Sequence, residues 1–430
     1  MRRSFLFLQG PTSPFFRELG AALASRGHAV RRINLCLGDR LFWKDERSED
    51  FTGRARDWPC FLESRLGGVT DLVLLGEQRP LHRAAILAAQ ARGIAVTVTD
   101  FGYLRPDWIV LERDGMNALS RFPRDRAGIL ALAAEAPPLD TALRHPGRFA
   151  LLARGDMAFH LASAMPWPFP HWRSFAVHSP FLSYPATGLR LLLRGRETRR
   201  AQEFVASIPA EAPVFLFAMQ METDYSIRAY SPFPDMDTPL RAAIRSFARE
   251  APAEARLLVK PHPYDAGLKS WRVRVSAMAR EAGVADRVAL VDGIPLDPLL
   301  ERAAGLVTVN STTGIRALQL GRPVLAMGEA LWDVEGLAHR GGLDSFWAAP
   351  QGPDPVLADA FLRGIAHHLH IRGDYYEPGG RRAAVAAATE RLEAGAGPPE
   401  VAAPPRPRLV VSVTPEAAAA GPAIRARAPG

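Results

Sequence analysis

The stretch that decides the fold is LLVKPHPYDAG at 257–267, taken with VDGIPLDPLLERAAGLVTVNSTTGIRALQLGRPVLAMGE at 291–329. Each piece contains an apolar run, Leu257–Val259 and Leu306–Val309, that opens into a turn rich in groups able to hold an anion. The first run leads into Lys260-Pro261-His262-Pro263 and the second into Asn310-Ser311-Thr312-Thr313-Gly314. Two strand–turn–helix units in a row predict an open α/β sheet, in which ligands sit beyond the carboxyl ends of the strands. Lys260 and His262, with Ser311, Thr312 and Thr313 at the start of the next helix, supply cations, hydroxyls and a positive dipole end for a phosphate. The NSTTG residues also suit a simpler role, a Ser or Thr capping its helix while Gly314 allows close packing.

Upstream, Pro213–Phe217 predicts the strand that opens this second domain, and the chain then continues Ala218-Met-Gln220-Met-Glu222-Thr-Asp224-Tyr-Ser226-Ile-Arg228. If that strand continued, Gln220, Glu222 and Asp224 would point to one side. Asp224 equally fits a helix cap or Asx turn before Tyr225–Ala229. Helices are expected at 240–251, 270–282, 298–304 and 315–320, and strands at 288–291 and 323–327.

The first 200 residues open in the same style. Residues 4–8 predict a strand, Phe15, Phe16, Leu19, Ala22 and Leu23 a helix ended by Gly27, and Ala29–Asn34 a second strand. The Gly10 loop between them lacks the full GxGxxG, so the case for a dinucleotide is weak. A strand at 71–75, a helix at 81–92 and a strand at 94–99 follow, the last ending in Asp100-Phe-Gly-Tyr-Leu-Arg105. Asp100 could act as a general base at this strand end, or pair with Arg105 to pin the loop. From about 125 to 200 the periodicity weakens. Trp167, Phe169, Trp172, Phe175 and Phe181 are interleaved there with Pro, His and Arg, which suits either a lipid interface or a Pro-broken segment packing on its own core. Leu189–Arg200, LRLLLRGRETRR, reads as a basic surface contact or a solvated helix end.

A net charge of +8 points to an anionic partner, unless the Arg-rich composition only reflects codon preference. No nucleic-acid-binding motif is present. The two cysteines, Cys36 and Cys60, give no disulfide framework or cysteine metal site and fit a reducing cytoplasm, and the histidines lack metal-ligand spacing. No run is long enough to span a membrane. The apolar start Phe5–Leu8 is too short for a signal core, and no metal or cofactor is expected.

The order KPHP then NSTTGIRALQLGRPVLAMGEALWDVEGL resembles the nucleotide-binding half of the bacterial capsule β-Kdo transferases. FLFLQGPTSPFFRELGAALASRGHAVRRINLCLGDRLFW and FAMQMETDYSIRAYSPF narrow the resemblance to their capsule polysaccharide export or modification branch, over most of residues 4–380. It implies a GT-B-like α/β fold with two Rossmann-like domains facing a cleft: 1–205 on the acceptor side, with an irregular aromatic and basic segment near 143–200, and 206–393 binding a CMP-sugar and carrying the C-terminal helices. Residues 355–395 read as Ala-rich helices, one of them a candidate to cross back to the first domain, and residues 394–430 are expected to be a disordered Ala/Pro-rich tail.

The implied activity is transfer of β-Kdo from CMP-Kdo to a lyso-phosphatidylglycerol-type lipid, with retention, at the cytoplasmic face of the inner membrane and alongside other capsule synthesis and export proteins. In that reading Asp224 is the nucleophile, flanked by Gln220 and Ser226, and Arg228 pairs the Kdo carboxylate. Asp100 is the base, with Arg105 beside it. Lys260, His262, Pro263, Ser311, Thr312 and Gly314 hold the CMP, Gly10 borders the acceptor, and Glu112, Asp114 and Asn117 orient it. The chain departs from its relatives by a single acid at Asp100, where they carry Glu-Asp, and by Arg316, where they carry Glu. The rival readings are another nucleotide-sugar transferase and a non-catalytic subunit of the export complex.

Overall fold

The computed structural model describes residues 2–174 and 177–395. Phe175 and most of the expected tail lie outside the described residues. The strands are β1 (Ser4–Phe7), β2 (Ala29–Asn34), β3 (Ser48–Asp50), β4 (Asp71–Leu75), β5 (Ala95–Phe101), β6 (Trp108–Arg113), β7 (Val214–Ala218), β8 (Arg256–Lys260), β9 (Val288–Leu290), β10 (Gly305–Thr308), β11 (Val324–Ala326) and β12 (His370–Arg372). They form two sheets, ordered β12-β6-β5-β4-β1-β2-β3 and β11-β10-β7-β8-β9.

Both sheets have the doubly wound order. β1 lies between β2 and β4, and β7 between β8 and β10, all parallel. Each strand order therefore reverses at one point, β1/β4 in the first sheet and β7/β10 in the second, and such a reversal opens a crevice at the carboxyl ends. Parallel strands covered on both faces must be apolar throughout, which is why Phe5, Leu6, Phe7 and Val214–Phe217 are buried without alternation.

The C-terminal segment, grouped by sequence with the second domain but with one helix a candidate to cross back, returns to the first sheet. β12 pairs antiparallel with β6 and so extends the first sheet. The last helix, Pro378–Ala394, buries Ala384, Ala388 and Leu392 in the same cluster as Phe5, Phe15 and Ile371. Arg381 bonds Glu18 at 2.9 Å, and His28 meets Glu393 at 2.9 Å. The preceding helix, Pro355–Leu369, joins the two halves, its Phe361 ring standing edge-on to Phe122 at 5.6 Å.

The segment expected to be irregular, 143–200, is mostly helical: Phe149–Ser163 and a 28-residue helix, Pro180–Ser207. No buried apolar stripe marks the second of these, whose only fully buried residue is Ala201, and Pro185 and the glycines at 188 and 195 hide it further.

Candidate active site

The groups that follow the central strands of each sheet converge. In the first sheet Gln9 follows β1 and Glu77 follows β4; in the second Gln220 follows β7 and Asn310 follows β10. The two reversal points are tied directly, because the Tyr230 hydroxyl donates to buried Glu77 and the Gln78 amide donates to that hydroxyl at 2.6 Å. Arg124 adds a bond to the Ala330 carbonyl at 2.9 Å. The carboxyl ends of the two sheets therefore face each other.

Asp100, at the end of β5, is half-buried, and its Oδ1 accepts the Phe101 N–H at 2.7 Å. Burial raises its pKa, and the negative charge of Asp224 from the opposite unit pushes the same way, against Arg105 and Arg79. Among the described residues no ion pair within 4.0 Å joins Asp100 to Arg105, which is exposed and lies over the Phe101 ring at 5.6 Å. Burial also pushes Glu77 up to about 7, the Tyr230 bond opposes this, and Asp100 and Asp224 add to it. The charge of Asp224 from the second unit thus bears on both Glu77 and Asp100 in the first.

Asp224 caps the short helix Tyr225–Tyr230, its Oδ1 accepting the Ser226 N–H at 2.9 Å. β7 has ended by then, so Gln220, Glu222 and Asp224 do not share a strand face as expected. Glu222 turns to Lys269 at 2.6 Å and the Met236 N–H at 2.9 Å. Gln220 is buried, donating to Asn310 Oδ1 at 2.8 Å and accepting the Asn310 N–H at 3.0 Å. Asn310 Nδ2 in turn donates to the Ser226 carbonyl at 2.7 Å. Instead of presenting its amide to a sugar, Gln220 locks the Asp224 helix to the NSTTG turn. Arg228 is exposed and lies over the Tyr225 ring at 5.0 Å.

In the KPHP loop the Lys260 ammonium donates to the Ile294 carbonyl at 2.5 Å, and burial lowers its pKa against the pull of Asp292. One of its three donors is therefore engaged. His262 is pushed down to about 4 by burial, with Arg105 adding to this and Asp224 opposing. Its Nδ1 accepts the Tyr264 N–H at 3.2 Å, which puts the ring proton on Nε2. At neutral pH His262 is a hydrogen-bond donor and not the cation expected from the sequence.

Ser311 and Thr313 share a bond at 3.0 Å, and with Thr312 they remain half-buried. The helix they open, Thr313–Gln319, has only two turns. Gly314 serves packing, since a Cβ there would meet the Trp332 ring at 2.2 Å, and Gly10 likewise makes room for Phe16, 2.3 Å from where its Cβ would stand. Arg316 pairs with Asp297 at 2.8 Å. Glu112 is buried between Tyr103 and Ser120, where burial raises it to about 8, so it is not open to an acceptor.

Three contributors went unread in the sequence. Arg79 donates to Gln9 at 2.6 Å and helps hold Asp100 down. Glu77 and Arg79 stand just past β4, so the strand-end rule that found Asp100 would have found them too. Arg190, from the long helix, reaches the carbonyls of His262 and Pro263 at 3.3 Å and of Asp265 at 2.6 Å, and grips Asp292 at 3.0 Å. It fixes the KPHP loop from outside.

A doubly wound pair of sheets with carboxylates, a neutral imidazole and hydroxyls between their carboxyl ends defines a two-unit α/β protein of the kind that holds a ligand between its halves. Residues 70–376 match the family model described as capsule polysaccharide biosynthesis protein, and the chain belongs to that family. It is 30% identical over 382 residues to the capsule polysaccharide export protein KpsS of Escherichia coli, covering 87% of this chain and 97% of that one. It is 26% identical to the capsule polysaccharide modification protein LipB of Neisseria meningitidis serogroup A, covering 87% of this chain and 91% of the relative. Among solved structures, KpsC of Thermosulfurimonas dismutans, a β-Kdo 2,7 transferase, aligns over 90% of this chain and 100% of its own, at 13% identity and a TM-score of 0.43.

Proposed function

We propose that this protein is a retaining glycosyltransferase that moves β-Kdo from CMP-Kdo to a lyso-phosphatidylglycerol-type lipid, starting the linker of a capsule polysaccharide. The observation that carries the reading is that Asp100, at the end of β5, and Asp224, capping the helix after β7, stand at the carboxyl ends of two sheets tied together by the Tyr230–Glu77 bond. One Asp224 oxygen is held by a backbone N–H, which leaves the other for the anomeric carbon. Attack forms the Asp224–sugar ester and breaks the bond to CMP, whose departing phosphate meets His262 Nε2–H, the Ser311 and Thr312 hydroxyls and Lys260. The acceptor hydroxyl then attacks the same carbon, passes its proton to Asp100 and releases Asp224. Two inversions give retention. Asp100 is suited to the proton because burial and the charge of Asp224 raise its pKa and so strengthen it as a base.

The test is intact-protein mass spectrometry with CMP-Kdo on wild type and Asp224→Asn. Asn caps a helix as well as Asp, so the fold should survive the change. A Kdo-sized adduct on wild type, absent from the variant, is the expected result; an equal adduct on both removes Asp224 from the nucleophile's role.

A second reading, a non-catalytic subunit of the export machinery, is favoured by the structural use already made of Asp224, Gln220 and Lys260. It predicts no adduct and no protection of the fold by CMP. Protection by UDP or GDP instead of CMP would point to a different nucleotide-sugar donor.

A further inference from the structure

In the first half of the long helix Pro180–Ser207 two polar side chains face the protein: Tyr184 donates to Asp156 at 2.7 Å, and Arg190 to the KPHP loop and Asp292. Its outward face carries Leu182, Leu189 and Leu192 at helical spacing, and Leu192 is 84% exposed. One turn further along the same face stand Arg196 and Arg199, also exposed. No ion pair among the described residues involves either arginine, although Glu197 between them is held by Arg200 and Arg272.

The neighbouring helix Phe149–Ser163 adds Met157 and Leu161 four residues apart, both exposed, and Trp167, 81% exposed, follows it. More than half of the large apolar side chains exposed among the described residues fall between Phe149 and Leu193. Scattered exposed leucines need no explanation, but a concentration of them on two bonded helices does. Neither helix is long and apolar enough to cross a membrane.

From this geometry we infer that the outer face of these two helices docks flat on a lipid bilayer bearing anionic headgroups. Leucines, methionine and tryptophan enter the headgroup boundary, and the arginine end pairs with lipid phosphate. Charge decides the occupant. A basic turn joined to an apolar stripe complements an anionic, apolar boundary, whereas two copies of this face would set Arg196 and Arg199 against their own kind or against leucine. The inference deepens the proposed function, which gives the enzyme a lipid acceptor. The helix that meets the bilayer also holds the KPHP loop through Arg190, and the Phe149 ring stacks on Tyr264 of that loop at 5.3 Å. A lipid drawn from the bilayer would therefore reach the cleft from this side.

The test is flotation of the full chain with vesicles of phosphatidylcholine alone and of phosphatidylcholine mixed with phosphatidylglycerol, without sugar donor. Wild type is expected to float with the mixed vesicles and much less with the neutral ones. Leu189→Glu/Leu192→Glu and Arg196→Glu/Arg199→Glu should each weaken that binding by about tenfold or more, the second pair with a reduced salt dependence. All four side chains are exposed, so a matching melting temperature shows that the variants fold. Wild type that stays in solution, or variants that float unchanged, overturns the inference. So does a wild-type dimer that the leucine pair converts to monomer while flotation persists. Adduct formation from CMP-Kdo needs no vesicles, so failure of flotation and failure of the transferase reading are separable.

Discussion

Burial raises the pKa of Glu77 to about 7 from an ordinary 4.5, so the native protein holds a proton there that the unfolded chain releases. A carboxyl raised on folding stabilises the native state below the unfolded value and loses that contribution as pH climbs through the folded one. Full titration of Glu77 therefore removes up to about 3 kcal/mol. Melting curves should show wild type losing stability from about pH 5 to about pH 8, and Glu77→Gln losing less over that range. Glu112, raised to about 8, contributes a similar fall at slightly higher pH and serves as the internal comparison. Tyr230→Phe takes away the proton that Glu77 accepts and should cost about 1–3 kcal/mol near neutral pH. His262 behaves differently. It is already neutral above about 4, so no change in ligand binding between pH 6 and 8 should trace to it. Asp100 and His262 were singled out as candidates because each stands at or just past a strand's carboxyl end, whereas Asp224, beyond the end of β7 at Ala218, was singled out by the resemblance. Tyr230 was not, since its partner Glu77 is 153 residues away and nothing local marks the pairing.

The strands following Gly and Pro punctuation were legible to within a residue or two, because fully apolar runs of four or five residues between turns have few other uses. The helix Pro180–Ser207 was legible only in part, as the surface contact or solvated helix end at Leu189–Arg200: Leu182, Leu189 and Leu192 are exposed and Ala201 is its one fully buried residue, so no core-facing stripe marks it. Arg190 on that helix carries a consequence for the loop it grips. Arg190→Ala removes the bonds to three loop carbonyls and leaves Asp292 without its partner. The loop Lys260–Asp265 would lose its outer support, and if CMP is the ligand, its affinity measured by titration calorimetry should drop by about tenfold while the melting temperature changes modestly. Arg190→Lys restores charge without the planar fork and should recover only part of the affinity.

The two doubly wound sheets were anticipated from tandem strand–turn–helix signals; the return of the chain to its first sheet was only partly so. β12 is three residues long and follows a helix that belongs to neither sheet alone, so its sequence, His370-Ile-Arg372, gives no sign of which edge it will join. Ending the chain at Leu369 would strip β6 of its outer neighbour and uncover the cluster that Ile371, Tyr375, Ala384, Ala388 and Leu392 now fill. Losing that burial should cost on the order of 5 kcal/mol or more, so the shortened chain should aggregate or melt at least about 10 °C lower.

This return also sets an order of events during translation. The second sheet has all its strands once Ala326 has left the ribosome, but the first, though synthesised earlier, waits for Arg372. Until then the nascent chain carries a sheet with an open edge, a template for pairing with another chain. The half that is made first is the half that finishes last, and its β6 edge stays uncovered until β12 emerges.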